Sequence, residues 1–157
     1  MEARSAESGK ADASVHSVAA TTEQLVEIAH AHALAEANDD LETTMATLDD
    51  DPVYELLPRG VAFRGRDAAR RYYEHFFGTV KSLIAGYDLR SEWTNSNGVA
   101  QEYVIHFRLP DGTEESHRVM AVLTFGESVL SGERIYASDR LLELLFGPVL
   151  DLAEPIG

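Results

Sequence analysis

The sequence predicts an α+β fold: a strongly curved, cone-shaped antiparallel sheet with N-terminal helices closing a pocket. Three observations carry that prediction. Apolar residues recur at helical spacing in three stretches before Gly78, and the period then changes to two over four long segments. Turn signals, Asn97-Gly98 and Pro110-Asp111-Gly112, separate those segments. Helices segregated to one side of an antiparallel sheet define the class, and a curved sheet closed at one end leaves a cavity for a small ligand.

Each element has its own signature. Residues 1–20 are rich in Ser, Ala and Glu, with Val15 and Val18 the only large apolar side chains after Met1. They are expected to form a flexible tail. Thr21-x-x-Gln24 resembles a capping box, and Leu25, Ile28, Ala29 and His32 follow as one helical stripe to about Ala37. A second, short helix from Asp39 carries Leu41, Met45 and Leu48, and the Asp49–Pro52 run stops it. Val53–Leu57 is a short strand closed by Pro58-Arg59-Gly60. After Gly65 a third helix shows Ala69, Tyr72, Tyr73, Phe76 and Phe77. Strands are expected near 82–94, 99–109, 115–125 and 128–137, then a helix over Ser138–Phe146 ended by Gly147-Pro148. One domain over 21–147 results, with 148–157 as a C-terminal tail.

Composition narrows the partners. The chain has 157 residues, 13 Lys+Arg against 27 Asp+Glu, a net charge of −14, and 45% hydrophobic residues. That balance repels phosphate backbones and anionic lipid, so neither nucleic acid nor membrane is an expected partner. No stretch approaches the roughly 20 apolar residues of a membrane helix. The absence of Cys excludes disulfides and thiol nucleophiles, and fits a cytoplasmic location without proving it. The N-terminus lacks the apolar run of a signal peptide. The histidines show no metal-ligand spacing, and no phosphate loop is present, so neither metal nor cofactor is expected.

Several motifs resemble the nuclear transport factor 2-like superfamily, in particular its SnoaL-like polyketide cyclase and ketosteroid isomerase-related branch. They are Asn38–Glu42, Met45–Asp51, Gly65–Tyr73 and Arg134–Leu145, within a resemblance covering about 22–147. The resemblance implies a cone-shaped, cystatin-like roll, usually a homodimer through the sheet face, with one apolar pocket per subunit. Members include cyclases, isomerases, dehydratases and proteins without catalysis, so fold alone does not choose.

The pocket candidates follow from residue parity and from that resemblance. Glu55 falls at or beside the position where the isomerases keep a carboxylate base, in step with Val53 and Leu57. Burial there would raise its pKa toward neutrality. The alternative is an outward residue of an alternating strand. His32 lies in the helix stripe and is either a proton donor to an oxyanion or a core histidine bonded to a carbonyl. His106 shares a face with Glu102, Val104 and Arg108; this polar set suits a pocket wall and the Tyr103/Ile105/Phe107 set a dimer interface. Asp139 matches the acid/base residue of the cyclases, or else serves the first turn of a helix. Arg134 and Tyr136 would share one wall, Arg134 holding a carboxylate or enolate or neutralising Glu55. Tyr54 and Trp93 complete the candidate substrate contacts, although Trp93 also suits the core. The expected activity is cofactor-free acid–base chemistry on a small, apolar carbonyl compound: cyclisation, isomerisation or dehydration. The alternative is a non-catalytic ligand-binding module or accessory subunit of the same fold.

Overall fold

The computed structural model describes residues 18–157. The first element is α1 (Thr22–Ala37), whose N-cap Thr21 accepts from the Gln24 backbone while Gln24 reaches back, the reciprocal capping box. A short α2 (Leu41–Ala46), capped by Asp40, leads into β1 (Leu48–Leu57). Then come β2 (Val61–Arg64) and α3 (Arg66–His75), which runs into a wider π turn over Phe76–Val80 and a single tight turn over Lys81–Leu83. The long strands are β3 (Ile84–Asn95), β4 (Gly98–Arg108), β5 (Glu114–Phe125) and β6 (Leu130–Tyr136). α4 (Asp139–Phe146), a turn over Gly147–Leu152 and the two-residue β7 (Glu154–Pro155) finish the chain.

The seven strands form one sheet in the order β3-β4-β5-β6-β1-β2-β7. Every pairing is antiparallel except β1 with β6, where Tyr54 lies opposite Glu133 and Leu56 opposite Ile135. Register shifts within β1, β3 and at the end of β5 bend the sheet. Its concave face packs against α3 and α4 where Phe63 meets Tyr72 and Phe146, with ring centroids 5.9 and 5.7 Å apart, while Tyr54 stacks on Phe63 within the sheet and Tyr72 on Phe146 between the helices. Leu141, Leu142 and Leu145 seal the same side. No helix among the described residues is long and apolar enough to cross a membrane.

Three expectations are corrected. Residues 148–157 are not a loose tail: Val149 is buried, and β7 pairs with β2. Asp49–Asp51 belong to β1, with Asp50 and Asp51 facing solvent, and α2 ends before them at Thr47. The strand Val61–Arg64 was not expected, because four residues between two glycines carry too little periodicity to show. The expected N-terminal tail falls largely on residues 1–17, outside the described residues.

Candidate active site

The concave face and the end of α1 enclose a cavity of about 280 Å³. Its apolar and aromatic wall includes Tyr72, Phe76, Tyr103, Ile105, Ile135 and Leu145. Two carboxyls reach it, Glu36 from the last turn of α1 and Glu133 from β6. Glu133 is 9% exposed and has no hydrogen-bond or ion-pair partner among the described residues. None of its oxygens is fully sealed without a partner, so the carboxyl opens into the cavity. Burial, reinforced by the negative charge of Glu36 and opposed by His32, lifts its pKa to about 8. Burial thus favours the protonated form of Glu133.

His32 and Glu36 stand one turn apart on the same stripe of α1, with His32 Nε2 3.0 Å from Glu36 Oε1. The imidazole is 1% exposed. The Thr47 hydroxyl donates to the Thr44 carbonyl at 2.6 Å, which leaves its oxygen to accept from His32 Nδ1–H at 2.6 Å. Burial works against a charged imidazole, but the Glu36 charge and hydrogen bond, with help from Glu133, raise the pKa of His32 on balance. Tyr73 Oη lies 3.0 Å from the same Nε2 and 2.7 Å from Tyr54 Oη, which extends the network under the sheet. Burial holds the phenols of Tyr54, Tyr72, Tyr73 and Tyr103 well above their usual range, so all stay protonated. At the mouth, Lys81 Nζ donates to the carbonyls of Glu36 and Ala37 and pairs with Asp39, tying off the C-terminus of α1.

The residues singled out from the sequence divide between the two faces. His32 is buried beside the cavity, bonded to side chains rather than to a carbonyl alone. Tyr54 is buried in its network. Glu55 does not face the cavity. Tyr54 and Leu56 take the core side of β1, so Glu55 lies on the convex face, 3.1 Å from the Arg134 guanidinium. The neutralising role considered for Arg134 thus describes a contact that exists, on the other side of the sheet. Trp93 shares that convex groove with both, 51% exposed rather than core.

His106 is likewise convex, bonded through Nε2 to Asp88 at 2.9 Å and through Nδ1 to Ser116 at 2.8 Å. The expected assignment of the two faces of β4 is inverted: Gln101, Tyr103 and Ile105 line the cavity. The physical reason is that α1, α3 and α4 cover the concave face, which therefore takes the more apolar set. Tyr136 points outward with Arg134, and Asp139 is exposed in the first turn of α4, where the Ser138 hydroxyl caps Leu141 N. Glu133 and Glu36 were missed. Glu133 is in step with Ile135 and Ala137, and Glu36 continues the Leu25/Ala29/His32 stripe by one turn; the same parity argument applied to Glu55 points to both. Among the described residues no group of three or more acidic or imidazole side chains is placed to hold a metal.

Residues 28–130, well over half the chain, match the family model of the SnoaL-like domain. The chain belongs to the SnoaL-like domain family. The fold of this SnoaL-like domain recurs in solved structures. An NTF2-like protein of unknown function from Burkholderia xenovorans LB400 is 23% identical, with a TM-score of 0.58 over 74% of this chain and 84% of that one. Bal32a, from a soil-derived mobile gene cassette, reaches a TM-score of 0.63 at 16% identity, over 80% of this chain and 97% of its own. An NTF2-like protein of unknown function from Burkholderia pseudomallei K96243 gives 0.61 at 14% identity, over 79% and 98%. These likenesses establish the nuclear transport factor 2-like fold for this SnoaL-like domain. No curated protein matches it.

Proposed function

We propose that this protein is a cofactor-free acid–base enzyme that enolises a small carbonyl compound in the concave cavity. The observation that carries the reading is Glu133, a buried carboxyl without a partner among the described residues, facing the cavity that Glu36 reaches from the other wall with His32 bonded behind it. The carboxyl that burial biases toward its protonated form serves as the acid, which leaves the one across the cavity to act as the base. In the proposed step the substrate carbonyl oxygen accepts hydrogen bonds from the neutral Glu133 and the Tyr103 hydroxyl. Glu36 removes the proton alpha to the carbonyl, and the electron pair of that C–H bond forms the enolate. His32 holds Glu36 in place. Return of the proton elsewhere gives isomerisation, attack on a second carbonyl gives cyclisation, and loss of a β-hydroxyl as water gives dehydration.

The test is proton–deuterium exchange alpha to the carbonyl in a panel of cyclic ketones in D2O, followed by NMR. Glu36→Gln is expected to lower the exchange rate by about 100- to 10,000-fold, the range of a general base. Because Glu133 must be protonated, the wild-type rate should fall as pH rises through about 8, the value set by burial and Glu36. The groups that surround it are His32 and Glu36 on α1, Tyr54 on β1, Tyr72 and Tyr73 on α3, and Tyr103 on β4. Glu133→Gln should remove that limb. Binding without exchange in any member of the panel would instead mark a ligand-binding module.

A further inference from the structure

The cavity has a charge character that narrows its substrate, given the enolisation reading above. Lys81 is the one Lys or Arg among its lining residues, and its ammonium is committed to the carbonyls of Glu36 and Ala37 and to Asp39. His32 stands behind Glu36 with Nδ1 on Thr47 and Nε2 facing Glu36 and Tyr73. No lining cation has a free donor for an incoming anion. What the cavity does offer is two carboxyls and the hydroxyls of Tyr72 and Tyr103, for which the described residues supply no hydrogen-bond partner. A net charge of −14 adds a long-range field of the same sign.

We propose that the cavity takes an uncharged oxygen acceptor and rejects anions, so the substrate is a ketone, lactone, ester or amide without a free carboxylate, sulfate or phosphate. An anion entering here loses its water shell, meets Glu36 at close range and finds no counter-charge. A neutral carbonyl oxygen meets hydroxyl donors that already lack a partner and loses little hydration on entry. Shape alone does not produce this preference, because a carboxylate and a carboxamide occupy nearly the same volume.

That near-identity supplies the test. The probes are 4-oxocyclohexanecarboxamide and 4-oxocyclohexanecarboxylate, each titrated against the protein at pH 7 with ligand-observed NMR. The carboxamide is expected to bind, and the carboxylate to bind at least about 100-fold more weakly, the size of a close like-charge contact. Comparable affinities, a tighter carboxylate, or no binding of either probe at low-millimolar concentration overturns the proposal. The double variant Glu36→Gln, Glu133→Gln, checked for folding by circular dichroism, is expected to recover carboxylate binding by about tenfold or more. If the penalty persists there, charge is not its cause and the proposal falls. Exchange alpha to the carboxamide's ring carbonyl, measured in the same tubes, separates the two ideas. A charge preference without exchange removes the catalytic reading and leaves the substrate class standing, and exchange without a preference does the reverse.

Discussion

Glu133 carries a cost that the rest of the molecule offsets. Burial lifts its pKa from the ordinary 4.5 to about 8. The proton is bound more tightly in the folded state, so the associated stability is full below about 4.5 and is lost as pH rises to about 8. Glu133→Gln is expected to stabilise the protein by about 3 kcal/mol at pH 7 and to flatten stability across that window. Urea denaturation at a series of pH values measures both. Thr47 is the matching case on the other wall. Thr47→Val leaves His32 Nδ1–H without an acceptor and should destabilise by about 1–3 kcal/mol, whereas Thr47→Ser should restore the bond. Imidazole nitrogen chemical shifts report whether His32 keeps its protonation. Neither residue announces itself alone in the sequence: Thr47 matters only because α2 ends against α1.

Strands show more clearly what the sequence conceals. Alternation along β4 separates Tyr103, Ile105 and Phe107 from Glu102, Val104 and His106 without saying which set lines the cone. The helices decide that, and their docking is a long-range fact with no local signature. On β1 the same ambiguity placed Glu55 inward. The four long strands and the capping box of α1 were legible because period and turn chemistry are local. β6 hides a stricter requirement at Gly132, whose φ of +136° and close approach to β1 exclude a side chain. A Cβ there would lie 1.9 Å from the Val53 carbonyl oxygen. Gly132→Ala is expected to destabilise by about 3 kcal/mol or more, among the larger effects of a single substitution. It should also lower the pKa of the adjacent Glu133 by admitting water, readable by carboxyl-carbon NMR titration.

The convex groove holds Trp93, Val53, Val122 and Phe125 around the Glu55–Arg134 pair. We propose that a second copy of the chain covers it, the exposed Trp93 beside Val53, Val122 and Phe125 and the Glu55–Arg134 pair among them being suited to self-association. Sedimentation at micromolar concentration should give a dimer, and Trp93→Glu should give a monomer with an unchanged fold. A monomeric wild type would sink this assignment. The parallel ladder between β1 and β6 has a different consequence, one for how the molecule assembles. It joins Leu48–Leu57 to Leu130–Tyr136, the least local pairing among the long strands, and pairings of that kind are slow to form because a long loop must close first. Glu133 sits inside that ladder opposite Tyr54. Burial favours the protonated carboxyl in the fold, while the unfolded chain exposes it as a carboxylate, so the step that closes the cone draws a proton from solvent. The pocket is thus born protonated, and refolding in weakly buffered solution should raise the pH as it completes.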